Sequence, residues 1–241
     1  MRRVLIACVV SGISSASLGG VSLVSNEASF ATSDTIQWSQ FGPTGASVPG
    51  LVGGTSVSGR SFWAESYSSD ASGLSRVDQW AGAPDPFSGW AGNFGANAAL
   101  LRVSGQDLVS PPTTDARLSL TFSEAIRGFG AQFDASFSNS WIMHVGVFDV
   151  EDNMIGLFDL SMKRIVGSMA DNSAKFMGVR SDSANIARLE IWATAIYNTD
   201  FGPIIAPDYF AMNFGRLEIP APGSALLAIG LGSMLARRRR I

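Results

Sequence analysis

Arg117-Leu118-Ser119-Leu120-Thr121-Phe122 decides the fold class. Large apolar side chains stand at 118, 120 and 122, with polar ones between them. Successive side chains of an extended chain point to opposite faces, so this period of two predicts a strand with one buried face. A helix would space its apolar residues three and four apart, and that spacing is scarce between Thr32 and Ile219.

Working outward, short strand-like runs recur at 126–134, 141–150, 154–161, 174–180, 187–195 and 208–219, separated by Gly, Pro, Asn, Asp and Ser. In Phe210-Ala211-Met212-Asn213-Phe214 the large apolar residues again alternate, and 141–150 is apolar on both faces, as in a central strand. Further strands read at 35–41, 60–67, 74–80 and 99–104, within a looser half rich in Gly and Ser. Residues 81–98 hold Pro84, Pro86, Trp90 and several glycines, and read as a long surface loop. Pro111-Pro112 marks no boundary, because the first half has no obvious core of its own. The expectation is an all-β fold: a single antiparallel β-sandwich, jelly-roll-like, over residues 32–219.

The two ends have a different character. Residues 1–31 read as a secretory signal peptide, with Arg2-Arg3 as its basic start and an uncharged stretch over 4–24. Ser29-Phe30-Ala31 offers small residues at −3 and −1, so cleavage is expected after Ala31, with Ala16 the alternative. Leu5-Ile6-Ala7-Cys8 has a lipobox-like form, but too few apolar residues separate Arg3 from Cys8 for a normal hydrophobic region. At the other end, Pro220-Ala221-Pro222-Gly223 forms a joint before an uncharged, Ala- and Leu-rich run that stops at Arg237-Arg238-Arg239-Arg240. As a helix, roughly 14 residues extend about 21 Å, short of a hydrocarbon core of about 30 Å. Residues 220–241 therefore read as a short hydrophobic helix that anchors weakly, its arginines held on the cytoplasmic side.

Of 17 basic residues, two lie in the leader and four in the tail, and of 20 acidic residues only Glu27 lies outside 32–219. That leaves 11 basic against 19 acidic, near −8, so nucleic acid is not expected as a partner. The one cysteine is Cys8, so the domain must hold together without disulfides.

The proline joint, apolar run and arginine cluster together resemble the PEP-CTERM sorting signal of exported bacterial proteins. Stretches 38–43, 89–94, 118–122, 128–132 and 171–180 are similar to β-sandwich proteins carrying that signal. The resemblance implies an export translocase and an exosortase-type processing enzyme as partners, transient residence in the inner membrane, and delivery to the cell surface or extracellular matrix. Pro220, Ala221, Pro222, Gly223 and Arg237 to Arg240 match the signal, with Ala221 where the family has Glu. The family implies no established biochemical activity and supplies no catalytic residue.

The residues themselves point the same way. His144 is the single histidine, set mid-strand among apolar neighbours, where a structural role is expected. No Gly-x-Ser-x-Gly elbow is present. A sandwich-fold glycosidase or lyase would need two facing carboxylates, for which Asp134, Asp149 and Glu190 are the strand-borne candidates. Asp149, Glu151, Asp152 and Asn153 concentrate oxygen ligands that could hold calcium, although Glu151-Asp152-Asn153 also has the chemistry of a hairpin turn. No other cofactor is expected. Trp80 and Trp90, on or beside the 81–98 loop, are the candidate stacking platforms for an exopolysaccharide, which makes a carbohydrate-binding module the alternative to a purely structural exported protein.

Overall fold

The alternation at 117–122 lies in a ten-residue strand, Arg117–Ile126, whose Leu118, Leu120 and Phe122 are buried in the core. Its setting is seen in a computed structural model that describes residues 20–66, 73–79, 89–90, 92–103, 117–135, 140–163, 171–199, 202–208 and 210–220. The 1–19 part of the predicted leader and the tail from Ala221 onward lie outside the described residues.

Strands numbered along the chain form two sheets. The first has ten: β1 (Val21–Val24), β2 (Asp34–Ile36), β3 (Ala46–Val48), β6 (Leu74–Gln79), β7 (Gly89–Trp90), β8 (Ala99–Val103), β10 (Gly128–Ala135), β13 (Lys175–Ser181), β16 (Phe210–Met212) and β17 (Gly215–Glu218). The second has seven: β4 (Leu51–Thr55), β5 (Ser61–Ser66), β9 (Arg117–Ile126), β11 (Ser140–Phe148), β12 (Met154–Lys163), β14 (Ile186–Thr199) and β15 (Gly202–Asp208). The main path of the first runs β1-β13-β10-β16-β8-β6-β3, and of the second β12-β11-β14-β9-β5-β4. Every pairing is antiparallel except the short β6–β7 contact. The fold is an all-β sandwich.

Inward side chains of both sheets make one main core, in which Phe129, Phe133 and Phe210 from the first sheet join Leu118, Leu189 and Ile191 from the second. Its edge is closed by β1 and β12, where Val21 and Leu23 pack beside Ile155, Phe158 and Leu160. No helix among the described residues is long and apolar enough to cross a membrane.

Two local readings change, at 35–41 and 208–219. The run at 35–41 is strand only to Ile36 and then a 3-10 turn, Trp38–Phe41, because Trp38 swings into the core and donates its Nε1–H to Asn213 O at 2.6 Å. Strand β11 is interior but lies next to edge strand β12, and its outward His144 faces polar neighbours. The run at 208–219 breaks at Asn213-Phe214. Residues 20–31, placed in the leader by the sequence reading, form β1 and a 3-10 turn at Glu27–Ser29.

Candidate functional site

The break in the last strand builds the site. On β10, Phe133 lies opposite Met212, but Gly130, three residues back, lies opposite Arg216, four residues on. One extra residue therefore sits in β16–β17, a β-bulge, and bulges re-aim side chains. Before it Phe210 and Met212 face the core; after it Leu217 does. Asn213 fixes the bulge: its Oδ1 accepts from Gln132 N at 2.9 Å, its own N–H donates to Gln132 O at 3.2 Å, and its Nδ2 donates to Gln132 Oε1. Phe214, expected to share the inward face, is instead 38% exposed.

The 92–98 segment supplies the opposite wall. Gly95 bridges to Asp171, and Ala174 N donates to Asn93 O at 2.8 Å. Asp171 accepts from Ser173 N at 3.1 Å, which holds Asn172 at φ 60° between them. A cleft of about 220 Å³ lies between these walls, with Gln132 and Asn213 among its lining, Asn172 and Gly95 on one side, and Phe214, Arg216 and Glu27 on the other.

Arg216 dominates its electrostatics. It is 8% exposed, its Nη2 pairs with Glu27, and its guanidinium carbon lies 4.2 Å from the Phe214 ring centre and 5.7 Å from that of Phe176. Its Nη1 is buried without a hydrogen-bond partner. Burial pulls its pKa down, opposed by the charge and hydrogen bond of Glu27. The cleft thus combines guanidinium and amide groups, one carboxylate and an accessible aromatic ring. Such a set can bind a small polyhydroxylated molecule; a single carboxylate does not suffice for paired-acid hydrolysis.

The residues singled out in the sequence fare differently. Trp90 is a correction: it is 5% exposed, in a second small core with Val77, Phe94 and Leu100, and its Nε1–H donates to buried Asp134 at 3.1 Å. Packing against β6, β8 and the folded-back 92–98 segment buries it, so its faces are closed to a sugar. Trp80 lies outside the described residues, as do Ala221, Pro222, Gly223 and Arg237 to Arg240, while Pro220 ends the described chain. Among the described residues, the exposed indole is Trp63, 43% exposed on β5 opposite Gly53, where a Cβ would lie 3.5 Å from its Nε1.

Asp149, Glu151, Asp152 and Asn153 form the β11–β12 turn. Asp149 Oδ1 accepts from Glu151 N at 3.0 Å and Asn153 N at 2.8 Å, Asp152 takes φ 64°, and its carboxylate pairs with Arg188 at 2.7 Å. Hydrogen bonds led by that from Asn153 N–H lower the Asp149 pKa, against a smaller effect of desolvation. These oxygens are directed at turn donors and an arginine, and no cluster of three or more metal-binding side chains occurs among the described residues. Asp134 lies on the first sheet and Glu190 on the second, where it pairs with Arg188, while Asp149 is held within the β11–β12 turn.

His144 stands in a polar row. Its Nδ1 is 2.7 Å from Asp159 Oδ1 and its Nε2 is 2.9 Å from Thr194 Oγ1. Its ring stacks on Trp192 at 5.0 Å, and Arg117 lies 4.7 Å from the same indole. Hydroxyl, imidazole and carboxylate are in line, but β14 is paired on both sides, so its N–H groups are committed to ladders and form no oxyanion hole. The row ties the outer face of three adjacent strands together.

Comparison with known proteins finds no matching family model and no matching curated protein. Among solved structures, a DUF4465 family protein from Bacteroides caccae is similar at TM-score 0.40 and 14% identity, over 83% of this chain and 100% of that one. The enzymatically active domain of bacteriophage CBA120 tailspike protein 4 is similar at TM-score 0.29 and 16% identity, over 65% of this chain and 19% of that one.

Proposed function

We propose that this chain is an exported, non-catalytic β-sandwich that binds a saccharide unit of a surface or matrix polysaccharide in the Phe214–Arg216 cleft. The carrying observation is that cleft: an exposed aromatic ring stands beside a buried guanidinium with an unpartnered Nη1, against amide side chains. Apolar sugar faces stack on aromatic rings while hydroxyls take charged and amide partners. Its volume suits one ring of a longer chain rather than a drug-sized ligand, whose pockets run from about 300 Å³ upward.

Delivery rests on the two ends. The export translocase would take the chain through its leader. The 220–241 segment, with its PEP-CTERM-like pattern, would hold it briefly in the inner membrane until an exosortase-type enzyme separates domain from tail. Binding to a panel of soluble polysaccharides, followed by Phe214→Ala, tests the site. We expect one class of polysaccharide to bind and the substitution to weaken it about tenfold, equivalent to about 1.4 kcal/mol. Undiminished binding by the variant would remove the cleft from consideration. Cell fractionation with C-terminal sequencing tests the delivery; a cytoplasmic chain retaining Arg237–Arg240 would refute it.

A further inference from the structure

We infer that, resting on the export reading above, leader cleavage takes place before Gly20, after Ala16, so that residues 20–31 remain as part of the mature sandwich. Four observations support this boundary. Strand β1 pairs with β13 through Val21↔Ser181, Ser22↔Arg180, Leu23↔Val179 and Val24↔Gly178. Phe30 is 6% exposed and meets Phe176 edge-on at 5.7 Å. Arg180 Nη2 donates to Ser29 O at 2.7 Å, and Ala31 N donates to Glu218 at 2.7 Å. Glu27 pairs with Arg216 and lines the cleft.

Cleavage after Ala31 would remove all of these together. It would uncover the edge of β13, open the side of the core that Val21 and Leu23 close, and leave Arg216 buried without its counter-charge. An exposed strand edge promotes pairing between chains, and a buried charge without a partner is strongly destabilising. The sequence accommodates the earlier junction. Val4 to Val10 is a seven-residue apolar run after Arg2-Arg3, and Ser14-Ser15-Ala16 places small residues at −3 and −1.

The test uses the full chain expressed in a Gram-negative host, with the N-terminus of the exported protein read by peptide sequencing and intact mass. The expected first residue is Ser17. In parallel, Ala16→Leu should block processing and accumulate precursor, while Ala31→Leu, at an exposed position, should be processed as the parent is. A folded exported protein beginning at Thr32, or processing blocked by Ala31→Leu and not by Ala16→Leu, overturns the boundary and leaves the export reading intact. A cytoplasmic chain that keeps Arg2 and Arg3 overturns the export reading and this inference with it.

Discussion

Replacing Trp90 by Phe separates a structural indole from a functional one. The substitution keeps an aromatic ring in the small core of Val77, Phe94 and Leu100 but removes the N–H that reaches Asp134 at 3.1 Å. Asp134 is buried on β10 and also accepts from Asn93 N at 3.2 Å, so it loses one donor among several. A hydrogen bond to a charged group contributes about 1.5–3 kcal/mol. The void left by the smaller ring adds about 1 kcal/mol. A total near 3 kcal/mol lowers Tm by about 6–12 °C in a domain of this size. Urea unfolding should show a lower midpoint with unchanged slope, and affinity for the polysaccharide identified with the parent should stay within about twofold. An unchanged midpoint would mean that the Trp90–Asp134 bond contributes nothing. Lost binding at full stability would return Trp90 to the role of a sugar platform.

Acid sensitivity should centre on Asp34. Burial raises its pKa, but hydrogen bonds from Ser56, Ser58 and Thr35 outweigh this and hold it below its ordinary value of 3.8. A lowered folded-state pKa gives stability that is present above about pH 4 and lost as pH falls through the folded value. Asp34→Asn should therefore lower Tm at neutral pH and flatten its decline below pH 4; parallel Tm–pH curves for the two proteins would contradict this. Calcium or a chelator in excess should shift Tm by less than about 1 °C, because the Asp149 and Asp152 carboxylates are already held by turn N–H groups and Arg188, and an ion raises Tm only by binding the folded state. A calcium-dependent rise in Tm, abolished by Asp149→Ala, would show that the turn opens to take the ion. Gly130→Ala should destabilise, since its Cβ would lie 2.5 Å from Phe176 Cζ; wild-type stability would show that the Phe176 ring has room to move.

Much of the sandwich was legible because period-two alternation is a local signal. The expected runs at 60–67, 74–80, 99–104 and 174–180 correspond to β5, β6, β8 and β13 within a residue or two at each end. The expected site was less legible, and Trp90 shows why. Proline and glycine around it announce a loop, but whether a loop lies on solvent or folds back depends on partners far away in sequence. Here those are Asp134 and the 171–174 turn. Strand β1 was obscured in a similar way. Val21 to Val24 reads from its residues alone as an uncharged apolar run, and its pairing with β13 is what shows it as a strand.

The cleft was hidden by one residue of slippage. In Phe210-Ala211-Met212-Asn213-Phe214-Gly215-Arg216-Leu217, simple alternation puts Phe214 inside and Leu217 outside. Both assignments fail, and they fail together, as an inserted residue requires. The trace in the sequence is the clash between two out-of-phase runs: apolar residues at even positions through 212, and a glycine and a leucine at 215 and 217. Asn213 at the junction is suited to hold such a bulge, because its amide can both donate to and accept from Gln132 across the ladder. Without the bulge, Arg216 would occupy an inward position with no counter-charge, which the core could not accommodate. With it, Phe214 and Arg216 reach the outer face beside Glu27. The irregularity that defeats the pattern therefore also builds the cleft.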